Sequence, residues 1–229
     1  MQSPRPFRFV SALALTTAIF LAAIYAPKVI RIPPGSFVPS SFVSHSLMLV
    51  LSILAMWLIS KGRLEFFGFT TKTYTFSPRI FLWVLPTAAI GIAQALALPH
   101  GQAPRTFIQL TNTQTVVFVW IYASLCEETL VRGLLQSLLG GLAEAGVAVR
   151  SKLSLPVVVS ALAFGAMHLG LIGKIGPAAI PIILMTIFLG FVAAHYREKT
   201  GSLVPAILVH MLFNMGGSLP LWVLLWMRR

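Results

Sequence analysis

Three short patterns in this sequence bring together residue types that can move protons. Glu127 and Glu128 stand side by side in CEETLVRG, with Arg132 four residues beyond Glu128. FGAMH sets Phe164 and His168 four residues apart, and HMLFN spaces His210 and Asn214 in the same way. A carboxylate beside an imidazole suits general-base activation of water. A histidine and an asparagine on one helical face are side-chain donors suited to an oxyanion. On residue types alone, the set fits hydrolysis of an acyl bond with water as nucleophile. The same residues leave a second chemistry open, since Glu127, His168 and His210 have the make-up of a His₂Glu zinc site.

Several hydrolase designs are excluded by what the sequence lacks. All five acidic residues are Glu, so a paired-aspartate protease is ruled out. Neither HExxH nor G-x-S-x-G occurs, which removes the zinc-helix type and the familiar serine nucleophiles. Cys126 is the only cysteine; it can form no intrachain disulfide, and its apolar surroundings read as packing.

The elements that must position these residues are membrane spans. The chain has 229 residues, of which 57% are hydrophobic and 10% charged, and its mean hydropathy is +0.89. Soluble domains carry roughly twice that charge fraction. Apolar runs suggest spans at about 10–26, 42–60, 80–99, 115–142, 155–173 and 177–196. A longer stretch at 203–227 is broken by Gly216-Gly217 and Pro220 and reads as a kinked span or as a span plus a short segment. The expectation is an all-α, polytopic transmembrane bundle of seven to eight spans, with a polar catalytic cavity inside the membrane. Residues 1–110 would supply three spans and an interfacial loop, and residues 111–229 the catalytic core.

The net charge of +12 belongs to this membrane picture and not to nucleic-acid binding, for no basic cluster with interleaved aromatics occurs. With alternating sides, the N-terminus and loops 60–79, 143–154 and 197–202 hold ten Lys and Arg, against four (Lys28, Arg31, Arg105, Lys174) on the other side. The bias puts the N-terminus in the cytoplasm. The aromatic, basic loop 60–79 reads as an interfacial segment under lipid headgroups.

Charge inside a span needs a partner, because each unpaired ion at mid-membrane costs about 2.5–3.5 kcal/mol on insertion scales. Glu128 and Arg132 share one helical face in the favourable order, acid first. Glu127 lies about 100° round the helix, so its partner must come from another span, and the fifth, with His168, or the last, with His210, could supply it. His45, His100 and His195 fall near span ends or in a loop and are left outside the site.

EETLVR, FGAMH and HMLFN resemble the EExxxR, FxxxH and HxxxN motifs of the CPBP family, the CAAX-protease and bacteriocin-processing (ABI) membrane proteins related to the Ras-converting CAAX endopeptidase. Val131 departs from the family's usual Phe. The resemblance covers about 115–217. It implies an intramembrane glutamate protease acting at the cytoplasmic side on C-terminal, CAAX-like or bacteriocin peptides, lipidated ones among them. It implies Glu127 as the base, assisted by His168, with His210 and Asn214 stabilising the oxyanion. Glu128, Arg132 and Phe164 would support the site. It implies no cofactor, a multi-pass protein of the plasma (inner) membrane, and lipids as the other partners. Two further readings remain: a non-enzymatic immunity or scaffold protein on the same fold, and a proton-coupled transporter, which lacks the paired broken helices expected of one.

Overall fold

The computed structural model describes residues 5–70, 77–97, 110–143 and 154–227. Every regular element among them is helical: α1 (Arg5–Val29), α2 (Ser41–Ser60), α3 (Val84–Ala97), α4 (112–143), α5 (Leu155–Met167), α6 (Ala179–Thr200) and α7 (Val204–Met227). Among the described residues, three stretches are long and apolar enough to cross a membrane: Phe7–Val29, Ser41–Ser60 and the run Leu155–Thr200. Shorter apolar helices occupy Pro78–Ala93 and Val204–Pro220. Leu58, Leu85 and Leu184 are about 60% exposed on the outer faces. Apolar side chains pointing outward on several helices suit hydrocarbon as the surrounding solvent.

The boundaries follow local chemistry. α4 opens on a capping box in which Thr111 accepts from the Gln114 N–H and the Gln114 side chain accepts from the Thr111 N–H. It then runs on as one helix with two π-helical stretches, Thr115–Ala123 and Thr129–Leu135, on either side of the Glu pair. Insertions of this kind concentrate at functional sites because they re-aim side chains and loosen the backbone ladder. α5 ends at His168, well before the expected Gly173, because Gly170, Gly173 and Gly176-Pro177 follow and break the run into single turns. α7 is continuous through Gly216-Gly217 and Pro220; the glycines serve packing instead of a break. A Cβ on Gly216 would lie 2.3 Å from Thr87 Oγ1, so only glycine lets α3 approach α7 this closely. Pro86 stands in the first turn of α3, where proline is tolerated.

α4 is the central element. α2, α5 and α7 pack along it, with α1 against its second half and α6 behind α5. Its stretch from Leu130 to Leu135 is buried, as are Met56, Phe164, Leu189, Ala193 and Val209 from four neighbouring helices. Of loop 60–79, Leu64–Phe67 forms a 3₁₀ turn. Arg197 fastens that turn, donating to the Phe66 carbonyl and to Ser137 Oγ. Residues 71–76, His100, Arg105 and most of loop 143–154 lie outside the described residues.

Candidate active site

Every residue singled out from the sequence lies on α4, α5 or α7, the three helices that meet at the Glu pair. Glu128 and Arg132 have no exposed side-chain surface, and Arg132 Nη1 stands 3.2 Å from Glu128 Oε1. Arg132 also donates to the Gly190 carbonyl at 3.0 Å, and its guanidinium lies 4.6 Å over the Phe164 ring. The i, i+4 pair read from the sequence is therefore present, and α6 and α5 complete its surroundings. Gly190 is needed here for a close approach: a Cβ would fall 2.8 Å from Ala161 Cα.

Glu128 has a second partner. His210 Nδ1 donates to Glu128 Oε1 at 2.9 Å, which directs His210 Nε2 towards Glu127, 3.8 Å from Oε2. Phe164 packs edge-on against both His210 and His168, with centroids 5.3 and 5.1 Å away. His168 stands at the end of α5, where the last carbonyls lack helical partners. Its Nδ1 donates to one of them, Phe164 O, at 3.0 Å. No hydrogen bond joins His168 to Glu127 among the described residues.

Glu127 keeps 15% of its side-chain surface exposed, which sets it apart from the sealed Glu128. The residue closest to it comes from outside the three motifs. His45 of α2 places Nε2 3.2 Å from Glu127 Oε1, although the sequence reading leaves His45 out of the site. The contact depends on how α2 lies against α4 and joins residues 82 positions apart. The one trace of it in the sequence is a lone ionisable residue inside an otherwise uncharged apolar run. His195 remains at the end of α6 beside Tyr196.

Asn214 faces the turn before the Glu pair. Its amide nitrogen donates to Val119 O and to Ser124 Oγ, each at 3.1 Å. The expectation made it an oxyanion donor; in the structure both N–H bonds brace α4 against α7. Beside it lies a largely apolar cavity of about 180 Å³, walled by Thr87, Ile182, Met185, Leu189 and Phe213. The residues able to hold a metal would be Glu127, His168 and His210. Among the described residues, however, no three His, Cys, Asp or Glu side chains converge as metal ligands do.

Chemically, the arrangement offers one partly accessible carboxylate between two imidazoles, next to a sealed carboxylate–guanidinium pair that orients one of them. No curated protein and no solved structure matches the chain. Residues 109–216 match the family model of the type II CAAX prenyl endopeptidases, Rce1-like, a span that holds Glu127, Glu128, Arg132, Phe164, His168, His210 and Asn214 together. The match makes residues 109–216 an Rce1-like type II CAAX prenyl endopeptidase domain, in agreement with the CAAX-protease family that the three motifs resemble.

Proposed function

We propose that this membrane protein is an intramembrane endopeptidase of the glutamate type. The observation that carries the reading is the contrast within the Glu pair. Glu128 is sealed and partnered, whereas Glu127 is partly exposed between His45 and His210. A water molecule between Glu127 Oε2 and His210 Nε2 gives a proton to Glu127 as its oxygen attacks the peptide carbonyl. Glu128, fixed on Nδ1, steadies His210 as an imidazolium whose Nε2–H faces the oxyanion, the role a buried carboxylate plays in a serine-protease triad. The proton then passes to the leaving amine nitrogen as the C–N bond breaks. His168 flanks the same space, and Asn214 holds the turn from which Glu127 projects.

The substrate class follows the family: a peptide or protein cut near its C-terminus, with a lipidated chain or other apolar residues suited to the cavity beside Asn214. Bacteriocin-like peptides are the other class that the motifs imply. The chain belongs in the plasma membrane as a bundle of seven to eight spans, with its N-terminus in the cytoplasm on the charge bias. The reaction uses no metal on this reading. The test compares cells carrying the wild type or Glu127→Gln, with matched protein levels, by mass spectrometry of N- and C-terminal peptides. Termini that appear only with the wild type are expected. Identical peptidomes would refute the protease reading.

A further inference from the structure

All three histidines near Glu127 have one ring nitrogen committed to the scaffold, and the commitment fixes what the other can do. His45 Nδ1 lies 2.8 Å from the Ser41 carbonyl. A carbonyl only accepts, so the ring proton resides on Nδ1 and the neutral ring presents a bare lone pair at Nε2. That lone pair is 3.2 Å from Glu127 Oε1. Two lone pairs repel at this distance, so the contact requires one proton between them, and with Glu127 as the base that proton is carried by Nε2. Oε1 is thereby engaged, and Oε2 is the oxygen left facing His210 Nε2.

The position of His45 is built and not incidental. Phe42 stacks on Tyr122 with centroids 5.1 Å apart and meets Phe118 edge-on at 5.8 Å. Ser46 Oγ and Tyr122 OH share a hydrogen bond of 2.8 Å. Gln114 donates to the Phe37 carbonyl just ahead of α2. These contacts fasten the first turns of α2 to the turns of α4 that precede Glu127. The His45 side chain is 17% exposed, so it holds Glu127 from a partly closed position.

We propose that His45 is a positioning residue of the site: it holds Glu127 Oε1 through a single shared proton and so presents Oε2 to the attacking water. The inference rests on the protease reading for its kinetic consequence but not for the contact itself. It assigns a role to a helix outside the matched segment 109–216.

Two measurements on the full chain in lipid nanodiscs test it. The first is ¹⁵N NMR of histidine-labelled protein. The His45 Nδ1 signal is expected to be that of an N–H, and the Nε2 signal to move when Glu127 is changed to Gln. An Nε2 signal unaltered by Glu127→Gln, or a bare Nδ1, overturns the proposal whether or not any peptide is cleaved. The second uses a farnesylated, internally quenched CAAX peptide as probe. His45→Ala is expected to lower kcat about 10–100-fold, the scale of a misplaced reacting group, with KM within about twofold. His45→Gln, whose amide N–H can reach Oε1, should recover most of that loss. An alanine variant as fast as the wild type, or a glutamine variant no better than alanine, also overturns it. If the wild type cleaves the probe no faster than Glu127→Gln, the prenyl-peptide reading fails instead, and the NMR result still decides the contact.

Discussion

Replacing Arg132 with Met removes one half of a dry ion pair and keeps the volume. Neither Glu128 nor Arg132 has any exposed side-chain surface. Glu128 would retain only the His210 N–H at 2.9 Å. Breaking a buried pair by deleting one partner costs about 3–5 kcal/mol, mostly for the stranded charge. The cation–π contact at 4.6 Å adds a smaller loss, on the order of 1–2 kcal/mol when desolvated. The terms overlap, so the expected destabilisation is about 4 kcal/mol, a large share of the 5–15 kcal/mol typical of a domain. The pair is also incompletely bonded: Glu128 Oε2 and Arg132 Nε have no hydrogen-bond partner among the described residues. Removing both charges together should therefore cost much less than removing one. Cys126 supplies the assay, because it is the only cysteine and is buried. A thiol-reactive fluorogenic dye reports unfolding as that thiol emerges. Arg132→Met is expected to unfold well below the wild type, and Glu128→Gln/Arg132→Met to recover at least half of the difference. A single variant as stable as the wild type, or a double variant worse than the single, refutes the reasoning.

Two further outcomes are expected. Gly190→Ala should force α5 and α6 apart, since the new methyl would meet Ala161 Cα at 2.8 Å and its carbonyl oxygen at 3.0 Å. The loss should be about 1–3 kcal/mol, whereas Gly140→Ala, with nothing within 4 Å, should be neutral or slightly stabilising; dye unfolding compares the two, and equal effects would contradict the packing argument. Treating the purified protein with 1,10-phenanthroline should leave cleavage of the farnesylated peptide unchanged, and loss of activity restored by added zinc would instead establish a metallohydrolase.

What could be read from the sequence was whatever a single helix encodes. Glu128 and Arg132 pair because four residues make one turn, and that spacing is visible in CEETLVRG. The end of α5 at His168 is foreshadowed by the glycines and proline beyond it, although the apolar run suggested a longer span. The contacts that join helices were not visible. His210 bonds Glu128, and His45 contacts Glu127, across 82 residues each, through the rotation and offset of packed helices that no local pattern records. Asn214 shows the same limit. Its place on one face with His210 was plain, but its partners Val119 and Ser124 lie in and beside a π stretch, a backbone register that apolar periodicity does not announce.

The place of His45 along α2 also sets the depth of the reaction. It lies four residues after Ser41 and fifteen before Ser60, about 6 Å and 22 Å along the axis at 1.5 Å per residue. Beyond Ser60 come Lys61 and Arg63, the basic rim that the charge bias assigns to the cytoplasm. α5 agrees, since His168 closes a helix that starts near Ser154, whose hydroxyl bonds Glu198 beside Arg197 and Lys199. Glu127, in contact with His45, therefore stands nearer the Ser41 end of α2 than its Ser60 end, while its other neighbour, His210, comes only six residues after the start of α7 at Val204. His45 and His210 thus come to Glu127 from opposite ends of the bundle, His210 from the end where the Leu203 N–H bonds the Gly68 carbonyl beyond α2. A tag that locates the N-terminus therefore locates the basic rim, and with it which of the two histidines lies nearer the cytoplasm.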